Sequence, residues 1–381
     1  MLVTVFWGAV LWVLYAYLLY PLILLLMSAG KRTVRHGAPE TWPQVSLVIA
    51  AHNEEAVLGE KLENSLALDY PPDLIQIIVA SDGSTDTTDV IAASYADRGV
   101  VLHQVKERGG KTQAQNEAVR LARGEFIVFS DANSMYDVQA LKRIIEPFAD
   151  PTIGCVCGEL RYVNPDGGAA GKGEGVYWRY EQFLKRRESV LSSTLGANGA
   201  IYALRRDLFA ELDADIISDF IMPIRVWRRG FRVVYEPDAI AEERSGGTFA
   251  DEFHRRTRII ARSLRGLWSE RGVLNPLVHG WFAVQMISHK LMRWMVPLAM
   301  IAAFVSNALL WDVAPYGLFF SVQIVLYGLA FLGNLLPAQL GRIFLFYVPA
   351  HFVAINAGAL LGLLRVLSGR SYRIWQPTSR S

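Results

Sequence analysis

Between Val3 and Met27 the sequence carries no charged residue and almost nothing but apolar and aromatic side chains. At ~1.5 Å of rise per residue such a run spans the ~30 Å hydrocarbon core of a bilayer, so it reads as one transmembrane helix. A cleavable signal peptide would begin with basic residues; here none precedes the run, whereas Lys31, Arg32 and Arg35 follow it. This asymmetry puts the N-terminus outside and the next segment in the cytosol. Composition supports a membrane protein: of 381 residues, 52% are hydrophobic and only 19% charged. The formal charge of +2 comes with no long basic run, which argues against nucleic acid as a partner. Cys155 and Cys157, one residue apart, are too few for a tetrahedral zinc site and too close for an ordinary disulfide, and read as reduced packing residues.

Three regions follow: an N-terminal transmembrane helix in residues 1–30, a cytosolic domain in 31–275, and a membrane region in 276–381. In the middle region strand-like apolar runs alternate with amphipathic stretches, the pattern of an α/β domain with a largely parallel sheet. The clearest strands are Val45–Ala50, Ile75–Ala80, Val100–Gln104 and Phe126–Ser130. Apolar segments return at Met295–Trp311, Tyr316–Leu336 and Ile343–Leu364, while Leu277–Arg293 mixes His, Lys and Arg with Trp and Phe and reads as an interfacial helix. If all three segments cross, the tail with Arg365, Arg370, Arg373 and Arg380 ends outside, against the positive-inside tendency. Either the last segment, which contains Pro349 and Gly358, is re-entrant, or the charge rule fails.

Four patches put polar residues at the carboxyl ends of expected strands, where open α/β sheets bind ligands. They are Ala50–Glu54, Ser81–Asp86, the glycine turn Gly109–Gly110–Lys111 opening a helix, and Ser130–Asp131–Ala132–Asn133. The first two also fit ordinary turn and cap chemistry. The third offers a cation on a helix start, where a phosphate is welcome, without P-loop spacing. The fourth sets two oxygen-bearing side chains one residue apart, ligands of the kind hard divalent ions such as Mg²⁺ or Mn²⁺ take while also binding substrate phosphates.

In order and spacing, VSLVIAAHNEE, IIVASDGSTD, GGKTQAQNEAV and FSDAN closely resemble the nucleotide-sugar half of glycosyltransferase family 2, which has the GT-A fold. The resemblance continues through TLGANGAIYALRRDLF, IISDFIMPIRVWRRGFRVVYEP and FHRRTRI, and covers most of residues 43–265. It implies that Asp82 holds the uracil of a UDP-sugar with Ala51, His52 and Glu54 nearby, that Lys111 approaches the nucleotide, and that Asn198 and Arg255 line the substrate site. Asp131 and Asn133 then occupy the family's DxD motif and hold Mg²⁺ or Mn²⁺, Asn133 with an amide in place of a carboxylate. Asp219 matches the last residue of the TED motif, the general base of an inverting transfer, with Ser218 replacing an acid. Arg258 falls at the arginine of QxxRW and would steady the leaving diphosphate, whereas Ile259 stands where processive members have tryptophan.

The membrane plan is similar to that of cellulose, hyaluronan and poly-N-acetylglucosamine synthases. The first expectation is a cell-membrane enzyme, its catalytic domain cytosolic, extending a β-glycan from a UDP-sugar. The second is transfer of one sugar to a membrane lipid, and a reading of another class is an inactive nucleotide-sugar-binding scaffold. Donor sugar, linkage, and export or accessory subunits stay open at this level.

Overall fold

The structure is a computed structural model and describes residues 1–31, 37–163, 170–244, 249–336 and 343–369. Arg32, Arg35, Arg370, Arg373 and Arg380, on which the orientation argument leans, lie outside the described residues.

Among the described residues eight strands form one sheet in the order β3-β2-β1-β4-β7-β6-β8-β5. They are β1 Val45–Ala51, β2 Ile75–Ser81, β3 Val100–Gln104, β4 Phe126–Asp131, β5 Met135–Tyr136, β6 Ile153–Val163, β7 Ile201–Arg205 and β8 Arg232–Arg244. The four strands read from the sequence are the parallel half, β3-β2-β1-β4. β1 is buried along its whole length because helices cover both faces, which is why it reads as a continuous apolar run. Its alternation still sorts the core: Leu47 and Ile49 face one apolar layer and Val48 the other. The second half is mixed. β7 runs antiparallel to β4 and β6, β8 returns parallel to β6, and β5 pairs antiparallel with β8. Cys155 and Cys157 lie on β6 as buried free thiols.

The strand order reverses at β1, between β2 and β4, so the crevice at the carboxyl ends of β1 and β4 is the switch point where such sheets bind ligands.

Among the described residues, four helices are long and apolar enough to cross a membrane: Leu2–Met27, Pro276–Ala308, Tyr316–Gly333 and Phe344–Leu367. The stretch Leu277–Arg293, expected as a separate interfacial helix, instead forms the first half of Pro276–Ala308, interrupted at Gly280 (φ 54°) and widened by a π-turn at Met286–Leu291. Its polar groups turn inward. His289 bonds Glu188 at 2.7 Å and Arg293 bonds Glu181 at 2.5 Å, both on the helix Ala170–Leu191, so buried pairing rather than the headgroup layer accommodates them. The re-entrant alternative for the last segment also gives way, since Phe344–Leu367 runs unbroken through Pro349 and Gly358 and does not double back.

That last helix packs on the helix Phe249–Ser269. A β-carbon on Gly362 would lie 3.1 Å from the Thr257 carbonyl oxygen, so glycine allows the two backbones to approach closely. Arg255 and Arg258 belong to that same helix, so its docking ties their place to the apolar helices.

Candidate active site

The loops after β1 and β2 are stitched together. The Asp82 amide donates to the Ala51 carbonyl at 2.9 Å, His52 Nδ1 meets the Asp82 carbonyl at 2.7 Å, and the Glu54 amide donates to Thr88 Oγ1 at 2.8 Å. Asn53 turns the chain at φ 52°, a left-handed value that asparagine tolerates, and its Oδ1 accepts from the Thr85 amide. Ala51, His52, Glu54 and Asp82 are all buried at this edge.

The Asp82 carboxylate accepts from the amides of Gly109 at 2.8 Å and Gly110 at 2.9 Å. Gly110 has φ 93°, open to glycine at little cost, and the helix Lys111–Val119 starts immediately after it. Asp82 therefore holds the turn that aims Lys111. The Lys111 ammonium pairs with Asp131 at the carboxyl end of β4. Burial opposes its charge, but Asp131 and Asp219 outweigh burial and raise its pKa.

Asp219 sits in the first turn of the helix Ser218–Arg228, and its carbonyl accepts from the Ala197 amide at 2.7 Å. Ser218 turns inward and donates to Gln115 Oε1 at 2.6 Å, so it adds no charge to the crevice. Burial raises the Asp219 pKa, Lys111 opposes the rise, and Asp131 adds to it. A carboxylate so raised is a stronger proton acceptor than one in water.

Gly199 marks where these groups converge. A β-carbon there would lie 2.7 Å from Lys111 Nζ, 3.0 Å from Asp219 Oδ2 and 3.4 Å from Asp131 Oδ2. Next to it, Asn198 bridges inward, accepting from Lys185 Nζ at 2.6 Å and donating to the Gly158 carbonyl at 3.1 Å.

Sequence reasoning passed over several members. Glu243, near the end of β8, accepts from Ser134 Oγ at 2.6 Å; burial and then the charge of Asp131 raise its pKa, while Arg255 and Lys111 oppose the rise. Arg262 donates to the carbonyls of Ala214 and Ile216 and so pins the segment leading into Asp219. It lies four residues after Arg258, a helical spacing that could have flagged it. Nothing in the local sequence marks Gly199, Lys185 or Glu243.

Arg255 bonds the Tyr162 hydroxyl at 3.3 Å. Burial, then the like charges of Arg262 and Arg255, bring the Arg258 pKa down to about 10, the condition of a guanidinium crowded by cations. Ile259 is 37% exposed.

Asp131 and Glu243 interact across the crevice and bring carboxylate oxygens of the hard kind that suits Mg²⁺ or Mn²⁺, and Asn133, two residues after Asp131, adds an amide oxygen to the donor types available. Among the described residues no group of three or more His, Cys, Asp or Glu is placed to hold a metal ion on its own.

The fold and crevice define a GT-A protein. Over 96% of this chain and 99% of the other, the structure superposes with a TM-score of 0.73 and 20% identity on the mannosyltransferase PcManGT from Pyrobaculum calidifontis, solved with GDP-Man and Mn²⁺. Residues 46–213 match glycosyl transferase family 2, and the chain carries a domain of that family. Among curated proteins it is 27% identical to β-monoglucosyldiacylglycerol synthase of Synechocystis sp. over 277 residues, 68% of this chain and 56% of that protein. It is 25% identical to poly-β-1,6-N-acetyl-D-glucosamine synthase of Staphylococcus aureus over 234 residues, 60% of this chain and 52% of that protein. The chain thus spans about half the length of the curated relatives it matches.

Proposed function

We propose that the protein is a membrane glycosyltransferase that moves a sugar from a nucleotide-diphosphate sugar, a UDP-sugar by the sequence resemblance, to an acceptor at the membrane face with inversion. The observation that carries this is the convergence of Lys111, Asp131 and Asp219 around Gly199 at the switch point of the sheet. Asp219 takes the proton of the acceptor hydroxyl as its oxygen bonds to the anomeric carbon, while the sugar–phosphate bond breaks on the opposite face. The departing diphosphate gathers negative charge, which Lys111 and the cluster of Arg255 and Arg258 offset. A divalent ion held by Asp131, Asn133 and Glu243 would supply further charge neutralisation there. Asp82, with Ala51, His52 and Glu54, would take the base, and Asn198 the substrate side.

The acceptor has two readings. One is a growing β-glycan, in line with the poly-β-1,6-N-acetyl-D-glucosamine synthase likeness. The other is a membrane lipid receiving one sugar, in line with the β-monoglucosyldiacylglycerol synthase likeness, and it is favoured by an exposed Ile259 in place of a stacking tryptophan. We also propose the division into residues 1–30, 31–275 and 276–381, with the middle part cytosolic. Membranes incubated with radiolabelled UDP-sugars test the acceptor: label in a lipid bearing one sugar supports the second reading and label in a long glycan the first.

A further inference from the structure

Helix Ala170–Leu191 lies against the carboxyl half of the apolar helix Leu2–Met27. Its Leu184 packs on the buried Tyr20 and Leu24, and the Tyr180 hydroxyl donates to the Tyr17 carbonyl at 3.2 Å. Beside this contact an open-sided recess of about 510 Å³ runs along one face of the helix Ala170–Leu191 and is also lined by Lys31. Its wall carries four cations, Lys31, Arg179, Arg186 and Arg187, beside the apolar Phe183 and Val190. Residues 179, 183, 186, 187 and 190 recur at helical spacing, so they share one face of the helix. Lys31, four residues past the end of Leu2–Met27, joins this lining.

Two of the four cations, Lys31 and Arg187, have no carboxylate partner among the described residues. Arg186 pairs with Glu159 at 2.6 Å, whereas among the described residues no carboxylate reaches Lys31 or Arg187 within 4.0 Å. The Arg187 guanidinium makes two contacts: it donates to Ser28 Oγ at 3.4 Å, just beyond the apolar helix, and lies 5.5 Å from the centre of the Phe183 ring. None of these residues belongs to the constellation around Gly199. Arginine forks match phosphate oxygens, and a cation cluster placed immediately after a membrane-crossing segment stands at the depth of lipid phosphates. The apolar pair beside the cations suits the upper part of an acyl chain.

We propose that this recess is a binding site for the phosphate headgroup of an anionic phospholipid, with Arg179, Arg187 and Lys31 holding the phosphate and Phe183 and Val190 the first carbons of a chain. A bound lipid clamps the helix Ala170–Leu191, which carries Lys185 against Asn198, to the end of the first apolar helix.

The test uses the full-length protein in detergent, titrated with phosphatidylglycerol or phosphatidylcholine and read by native mass spectrometry. The expected result is retention of phosphatidylglycerol at least about tenfold over phosphatidylcholine, a fall of about tenfold or more in Arg179→Gln/Arg187→Gln, and survival of most binding in Arg179→Lys/Arg187→Lys. Arg120→Gln, which removes an exposed pair with Glu211, leaves retention unchanged. Equal retention of the two lipids by the unaltered protein, or unchanged retention in the Gln double variant, overturns the proposal. Displacement of the lipid by millimolar inorganic phosphate also overturns it and reassigns the recess to a soluble phosphate. If the double variant melts early, the comparison of the two lipids on the unaltered protein decides alone.

Discussion

Lys111 and Asp131 form an ion pair across the mouth of the crevice, joining the start of one helix to the end of β4 directly above Gly199. An alanine at 199 would push its β-carbon to 2.7 Å from the ammonium and 3.0 Å from Asp219. What it meets are the tips of side chains, so the fold should adjust while the charges move. Gly199→Ala is expected to lower kcat at least about tenfold, because displacements near 1 Å are costly for catalysis. The melting temperature should change by less than about 2 °C; steady-state kinetics beside a thermal melt check both.

Metal dependence follows from the same pair. Asp131 shares its carboxylate with Lys111, and Asn133 brings only an amide, so the ion is expected to bind loosely and to leave on chelation with loss of transfer. Asn133→Asp should lower the Mn²⁺ concentration giving half-maximal activity several-fold, read by titration of chelated protein.

Lys61 provides a pH signature. Its ammonium is fully buried, 3.7 Å from the centre of the Tyr136 ring and bonded to the Ser134 carbonyl. Burial, only partly offset by Asp131 and Glu243, lowers its pKa to about 7 from an ordinary 10.5. Because the folded value lies below the unfolded one, the unfolded chain binds more protons between them, and stability rises with pH across that window. The penalty is fully present below pH ~7 and on the order of a few kcal/mol. Melting temperature should therefore climb between about pH 7 and 9, and Lys61→Met should flatten the climb.

The docking of the last apolar helix carries its own prediction. A β-carbon on Gly362 would lie 3.1 Å from the Thr257 carbonyl oxygen and 3.3 Å from the Ala261 amide nitrogen, so Gly362→Val should shift the helix that bears Arg258. Transfer is expected to fall about fivefold or more while the sheet, far from this contact, keeps its donor affinity; transfer rate against donor binding separates the two.

These residues also show where sequence reasoning reached and where it stopped. β1 to β4 were legible because parallel strands buried on both faces leave uninterrupted apolar runs, and the polar residues after them follow from the topology. β6 and β8 were less so: their apolar positions are broken by residues such as Glu159, Arg161, Glu236 and Glu242, tolerated by local pairing or exposure. Gly199 and Glu243 became visible only when antiparallel β7 and parallel β8 brought distant segments to one crevice. His289 and Arg293 misled because a charge in an apolar stretch looks interfacial until its partner, here Glu188 or Glu181, is found more than 100 residues away.

The central claim is transfer from a nucleotide sugar with Asp219 as base. The most direct measurement incubates the purified protein in lipid with Mn²⁺ and a panel of radiolabelled UDP- and GDP-sugars, in parallel with Asp219→Asn. Label should pass from one donor to a lipid or glycan, with the variant at least about a thousandfold slower yet binding that donor with unchanged affinity. Transfer by Asp219→Asn at the rate of the unaltered protein, or no transfer from any donor, would contradict it.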